Sequence, residues 1–455
     1  MVEAANPFDI SAISEYTEGP PAFPPEIPMP FPRMFRLRQK FDCPRVDDIP
    51  GEVERQLQSL HLAEKVKPGQ SVAITVGSRG IANIALITKA IVAHFRTLGA
   101  VPFIVPAMGS HGGGTAEGQR RIVEEYGVTP DYVGAEIRSS METVIIGNTS
   151  QGIPVHFDRQ AYGADHVVVA GRVKPHTGFV GDIESGLHKM MLIGLGKHEG
   201  AKIYHRAIMD YSWLEIVTAV ADSVLRRCKV VCGVGIVENA YDETALIAAV
   251  APGDFLRREK ELLVLAKEWM PRLPFKKVDL LIVDELGKNI SGSGMDTNVI
   301  GRKYNDHRAT ELDTVAVKTI FVRGLTEATH GNACGIGMAE FTNHRTIASI
   351  DKRITAINAI TGGHVPAASQ PVSLETDREV LDAAFPTIGL TAPERARVLH
   401  ISNTLQLAEL LASEAYLPMI ETRDDLELIE ELREMEFDED GNLYPVAAAT
   451  AGVLH

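Results

Sequence analysis

At 455 residues the chain is too long for one ordinary hydrophobic core, and two or three domains are expected. Hydrophobic residues at 45% and charged residues at 23% argue for an ordinary folded protein. A formal net charge of −15 with no long basic run argues against nucleic acid and anionic membrane surfaces as partners, and leaves room only for a local basic pocket that takes a small anion.

In chain order, residues 1–34 are rich in proline and acidic groups and are predicted to form an extended arm. MFRLRQKF follows as a strand and VERQLQSLHL as a helix. SVAITV, a short buried strand, runs into the turn Gly77-Ser78-Arg79-Gly80 and the amphipathic helix NIALITKAIVAHFRTLG, stopped by Gly99. The next strand, VPFIVPAM, opens onto GSHGGG, and Thr115 caps the helix that follows. Such strand–loop–helix repeats are parallel βαβ units, whose ligand-binding loops lie at the carboxyl ends of the strands, so Arg79 and His111 are expected to share a rim. VIIGNTSQGIPVHFD reads as a hairpin. The apolar run VVVAGRV then delivers His176 to a strand end, at the start of a glycine-rich segment, Gly171 to His205, that also holds His188, His198 and His205.

WLEIVTAVADSVLRRC continues as a helix, VVCGVGIVENA as a strand and FLRREKELLVLAKEWM as a charged connecting helix closed by Pro271 and Pro274. These patterns predict an α/β fold of two α/β domains with mostly parallel sheets, 35–272 and 273–455. In the second, VDLLIVDELG leads to Lys288-Asn289 and ISGSGMDTNVIGRK, TVAVKTIFVRGL leads to a loop with His330, LQLAELLASEAYLPMI reads as a helix, and REMEFDEDGNLYPV as a terminal turn and strand. No stretch of about 18 apolar residues and no secretory signal is found. The four cysteines, Cys43, Cys228, Cys232 and Cys334, form no CxxC and suit a reducing compartment, so the cytoplasm is expected.

GSHGGG is neither a Walker loop nor a dinucleotide fingerprint, yet a glycine-rich strand-to-helix turn can cradle phosphate on backbone N–H groups with His111 as acid or base. An arginine in SRGIAN suits phosphate or carboxylate. HExxH, CxxC and GxSxG are absent, so a metal caged wholly by protein and an α/β-hydrolase are both disfavoured.

The ordered set Ser78-Arg79, Gly109-Ser110-His111, Lys174-Pro175-His176, Ser185-Gly186-Leu187-His188-Lys189, His205 and Met295-Asp296-Thr297-Asn298 resembles lactate racemase and its relatives, the nickel-pincer nucleotide enzymes. The match runs from about residue 35 to 345 and rests on order and spacing, with Lys189 and His205 sixteen residues apart. The resemblance implies an active site in the cleft between two domains. It also implies a nickel pyridinium-3,5-bisthiocarboxylic acid mononucleotide tethered to Lys189, holding nickel by sulfur, carbon and sulfur, with His205 as the fourth ligand. Ser78, Arg79, Ser185, Gly186, His188, Asp296 and Asn298 would line the cofactor. His111 and His176 would be the acid/base pair, with Arg79 and Lys288 on the substrate carboxylate and Arg302 and Lys303 as rivals to Lys288.

The chemistry agrees with this assignment. The α-carbon beside a carboxylate is a poor acid, so inverting a 2-hydroxy acid is easier by moving a hydride to a pyridinium-like acceptor while a histidine takes the hydroxyl proton. The expected activity is therefore a racemase or epimerase of a 2-hydroxy acid, lactate-like or larger. Proteins that build the cofactor are expected partners, and a homo-oligomer is compatible. Two alternatives stay open at the level of sequence: a nickel-free phosphate- or nucleotide-binding module, and a protein that processes the pincer nucleotide.

Overall fold

The computed structural model describes residues 30–78 and 80–446. Most of the proline-rich arm and Arg79 therefore lie outside the described residues. The strands are β1 (Met34–Gln39), β2 (Ser71–Val76), β3 (Val101–Pro106), β4 (Glu136–Ile137), β5 (Thr143–Asn148), β6 (Pro154–Asp158), β7 (His166–Arg172), β8 (Val230–Glu238) and β9 (Thr244–Val250). They continue with β10 (Lys277–Val283), β11 (Ala316–Val322), β12 (Phe341–Asn343), β13 (Val372–Leu374), β14 (Val398–Ile401), β15 (Glu409–Ser413) and β16 (Leu426–Arg433).

The first sheet has the order β4-β3-β2-β7-β8-β9, parallel except for the β8–β9 pair. Its central strands are continuous apolar runs because both faces are covered. Along β2, Ala73 packs with Val167, Val169 and Leu187 on one face, while Val72, Ile74 and Val76 pack against Ile84, Ile87 and Ile91 of the helix Ile84–Thr97 on the other. The hairpin β5–β6 forms as expected from its turn residues. Thr115 caps the helix Ala116–Glu125 by accepting from Gly118 N at 3.1 Å. Ser212 and Glu215 make a capping box at the start of the helix Trp213–Arg227.

The second sheet has the order β13-β12-β11-β10-β14-β15-β1-β16; β10 to β14 pair in parallel, and the β14–β15, β15–β1 and β1–β16 pairs are antiparallel. The fold is thus α/β with mostly parallel sheets. Two expectations need correction. The strand placed at the start of the 35–272 domain, β1, belongs to the second sheet, where Phe35 and Leu37 are fully buried between β15 and β16. The segment LQLAELLASEAYLPMI is not one helix: β15 is followed by short turns at Glu414–Tyr416 and Leu417–Ile420. Its leucines follow a helical period, but pairing on both sides with β14 and β1 outweighs local propensity. Among the described residues no helix is long and apolar enough to cross a membrane.

Candidate functional site

Because β3, β2 and β7 are parallel neighbours, the loops after them emerge side by side, carrying His111, Ser78 and His176. Ser78 Oγ and His111 Nδ1 are hydrogen-bonded, and Tyr126 Oη donates to the Ser78 carbonyl at 2.9 Å. The glycines after His111 form a single tight turn that the cap of Thr115 closes. From behind, Gln119 Nε2 donates to the carbonyls of Gly109 (2.8 Å) and His111 (3.3 Å).

The segment read as glycine-rich is mostly helical. Leu187–Lys189 opens a helix, Met190–Gly194 widens into a π turn, and Lys197–Ala207 completes the run. It lies across the strand ends at a distance that excludes side chains beneath it. A Cβ on Gly171, at the end of β7, would stand 2.7 Å from Met190 Cγ, and one on Gly109, whose φ is +60°, 2.8 Å from Ile193 Cγ2. The run bends at Lys197, which holds a left-handed φ of 53° although it carries a full side chain. Its ammonium is completely buried, 3.1 Å from Asp158 Oδ2 and 3.2 Å from Gln119 Oε1, and it also donates to the Pro106 carbonyl. Burial pushes Lys197 down and Asp158 up from their ordinary values, each opposed by the partner's charge. This pair, absent from the sequence reading, joins β3, β6, the His111 loop and the bend.

Past the bend, His205 returns towards Lys189. Burial, helped by the charge of Lys189, lowers the His205 imidazole to about 4, so it is neutral at neutral pH. Phe179 joins these groups to His176: its ring stacks on the His176 imidazole (4.1 Å, 8°) and on Trp213 (4.0 Å, 12°), lies 6.2 Å from His205, and has Lys189 Nζ 5.8 Å from its centroid. Ser185 pairs by its backbone with Lys174, and Gly186 packs against Glu259. His188 departs from its expected cofactor role, because its ring turns into the core, where Nδ1 meets the fully buried Glu259 at 2.6 Å and its backbone N–H donates to the same oxygen at 2.9 Å.

Residues of the second sheet's loops grip the His176 loop. Thr297 Oγ1 donates to the Thr177 carbonyl (2.7 Å), and Asn298 Nδ2 (3.4 Å) and Lys303 Nζ donate to the His176 carbonyl. Buried Glu184 accepts from His176 N–H (2.7 Å), Lys303 (2.9 Å) and Lys267 (2.6 Å). Asp296 caps the turn Thr297–Ile300 and accepts from Asn298 Nδ2 at 2.8 Å. Arg302 is fully buried on the carbonyls of Val317 and Lys318 and on Glu340, which removes it as a rival for the substrate carboxylate. Lys288 donates its backbone N–H to Thr329 Oγ1 (3.1 Å) and its ammonium to the Gly292 carbonyl. His198 faces Gly114, and His330 occupies a left-handed turn. Glu184, Phe179, Trp213 and Gln119 were missed because nothing local marks an acid, a stack or an amide that acts through a distant loop.

Among the described residues no three His, Cys, Asp or Glu side chains converge as a metal site. Two open depressions, about 430 and 580 Å³, lie beside β4 around Arg120 and Arg138 and include none of the rim residues.

The geometry defines a class: an α/β protein with a histidine- and lysine-bearing rim at the carboxyl ends of a parallel sheet. Residues 37–214 match the family model of the lactate racemase N-terminal domain. A lactate racemase apoprotein from Thermoanaerobacterium thermosaccharolyticum is similar in structure at 13% identity, over 81% of this chain and 84% of its own, with a TM-score of 0.46. A protein from Thermotoga maritima is similar at 13% identity, over 73% and 84%, with a TM-score of 0.48. No curated protein matches the chain.

Two outcomes are expected. Lys197→Met strands Asp158 in the core and should cost about 3 kcal/mol in urea unfolding, with Lys197→Met/Asp158→Asn recovering part of the loss. In cofactor-free protein the unfolded chain protonates His205 before the folded one does. Its contribution to stability is therefore complete above pH 6.5 and is lost towards about 4, by at most about 1.4 kcal/mol per pH unit. His205→Asn should flatten the stability profile over that window, as measured by thermal unfolding at stepped pH.

Proposed function

We propose that the chain is a racemase or epimerase of a 2-hydroxy acid, with a nickel-pincer nucleotide attached at Lys189 and His205 as a nickel ligand. The observation that carries the reading is the partly buried His205, kept neutral by desolvation and by the charge of Lys189, within the segment that matches the lactate racemase N-terminal domain. A metal takes imidazole in the neutral form, so burial has already prepared His205 as a donor. When bound, the pincer nucleotide supplies a hydride acceptor for the substrate's α-carbon.

The chain's own residues do the rest. His111 and His176, on neighbouring loops of one rim, handle the proton of the substrate hydroxyl and stabilise the oxygen as charge develops. Arg79 and Lys288 hold the carboxylate, and Lys303, engaged with Glu184 and the His176 carbonyl, orients the histidine instead of the substrate. Ser78 orients His111, and Ser185 and Gly186 lead into the helix that presents Lys189. Asp296 and Asn298 support the His176 loop. Loading of Lys189 calls for cofactor-building proteins as partners, and the four free cysteines fit a cytoplasmic setting.

The test is interconversion of D- and L-2-hydroxy acids, lactate first, by protein made together with the cofactor pathway. His111→Ala and His176→Ala should each keep nickel and lose about 10²-fold or more in turnover. Normal turnover in either variant would remove that histidine from the site.

A further inference from the structure

The helix Phe255–Trp269 follows the segment 37–214 that matches the family model, and it sets a charged residue among apolar ones. Its buried face runs through Phe255, Glu259, Leu262, Leu263 and Ala266, the spacing of an amphipathic helix with a carboxylate in the apolar stripe. Glu259 is fully buried, a costly place for a carboxylate that is not hydrogen-bonded. Its Oε2 accepts the backbone N–H of His188 at 2.9 Å and meets His188 Nδ1 at 2.6 Å, while its Oε1 is buried with no hydrogen-bond partner among the described residues. We infer that Glu259 is a positioning residue for Lys189, capping the helical turn that presents the lysine from 71 residues beyond His188. The inference rests on the reading of Lys189 as the cofactor's point of attachment.

The turn Leu187–Lys189 has no cap of its own. Its N-cap residue is Gly186, which has no side chain to accept an N–H, and the first intrahelical bond runs from Met190 N–H to the Gly186 carbonyl at 3.0 Å. Glu259 supplies the missing acceptor on the N–H of the second residue of the turn, the place where an N-cap side chain usually bonds. Gly186 has an extended φ of 170°, which any residue adopts, so its backbone conformation does not call for glycine. Space does: a Cβ there would collide with Glu259 Oε1 and stand 2.7 Å from Glu259 Cδ.

The two elements are brought together on β8, whose interior carries Gly233 and Gly235. A Cβ on Gly233 would stand 2.7 Å from both Leu187 Cδ1 and Phe255 Cζ, and one on Gly235 2.8 Å from Leu262 Cδ1. The Lys189 turn and the helix therefore settle side by side on one strand, close enough for Glu259 to reach His188. The same helix meets the chain ahead of the turn twice more, through Lys260 on Asp182 (2.9 Å) and Lys267 on Glu184 (2.6 Å). Residues 182, 184 and 188 are thus held from one helix, and Lys189 comes next. A pair that only stabilises the core would, on removal, loosen the whole fold, whereas a cap acts on its own turn.

Two measurements separate these roles, each on Glu259→Gln, which keeps an acceptor oxygen, and on Glu259→Leu/His188→Leu, which removes both buried polar groups and leaves the backbone N–H uncapped. In cofactor-free protein, hydrogen exchange read by peptide mass should quicken about tenfold or more over residues 187–190 in the double variant, with β2 and β7 unchanged, and stay within about threefold of the parent in Glu259→Gln. Unchanged exchange over 187–190, a rise shared by the whole fold, or equal effects in the two variants overturns the inference. In protein made together with the cofactor pathway, the fraction carrying added mass at Lys189 should fall about tenfold or more in the double variant and be kept in Glu259→Gln. Full loading of the double variant overturns the positioning role. Should the double variant fail to fold, Gly186→Ala, which drives the carboxylate off the cap, is expected to show the same two losses, and parent-like exchange and loading in it overturn the inference. A parent without added mass at Lys189 overturns the attachment reading and the positioning role with it, while the exchange result still decides the cap.

Discussion

The close approach of the helical run from Leu187 to Ala207 to the ends of β2, β3 and β7 is the constraint on which the site depends. It sets Gly171 beneath Met190 and Gly109, at a φ of +60°, beneath Ile193, where an added Cβ would stand 2.7 and 2.8 Å from those side chains, and it brings Gly194 so near β3 that a Cβ there would stand 2.9 Å from the Ala107 carbonyl. The bend at Lys197 then turns the second half of the run back, so that His205 lies within electrostatic reach of Lys189. A left-handed lysine is unfavourable by itself, and the Asp158–Lys197–Gln119 network offsets that cost inside the core. The same network carries the carbonyls of Gly109 and His111, so the bend and the His111 loop are fixed together.

Burial does the chemical tuning. An exposed histidine would be partly protonated near neutral pH, but His205, desolvated and beside an ammonium group, stays neutral and able to donate its lone pair. Glu184 is buried against two lysines and one backbone N–H, and the second sheet's loops contribute the Lys303–Glu184 ion pair and three hydrogen bonds to backbone carbonyls of the His176 loop. The second unit therefore bears on the site through the His176 backbone, and the Asp-x-Asn element serves this grip.

Much of this was legible in the sequence where the signal is local. Apolar runs, glycine turns and caps located β2, β3, β7, β8, β10 and β11 and put His111 and His176 in loops at strand ends, because hydrophobic period and turn chemistry are short-range properties. What was not legible depends on partners far apart in the chain. β1 pairs with strands near the carboxyl end, nearly 400 residues away, and β15 is a strand only because β1 and β14 flank it. Lys189 and His205 were placed by resemblance to a family, whereas the helical path between them, with its π turn and left-handed Lys197, leaves no periodic trace among the glycines. His188 illustrates the opposite error: a histidine beside the key lysine reads as functional until a glutamate seventy-one residues on is found to hold it in the core.

The central claim, that Lys189 and His205 together hold a nickel-bearing nucleotide, is tested most directly by intact mass and nickel content of protein made with the cofactor pathway. The account predicts added mass that maps to the peptide containing Lys189 and disappears in Lys189→Ala, with nickel depleted in His205→Ala while the fold is retained. Added mass on another residue, or full nickel content in His205→Ala, would contradict it.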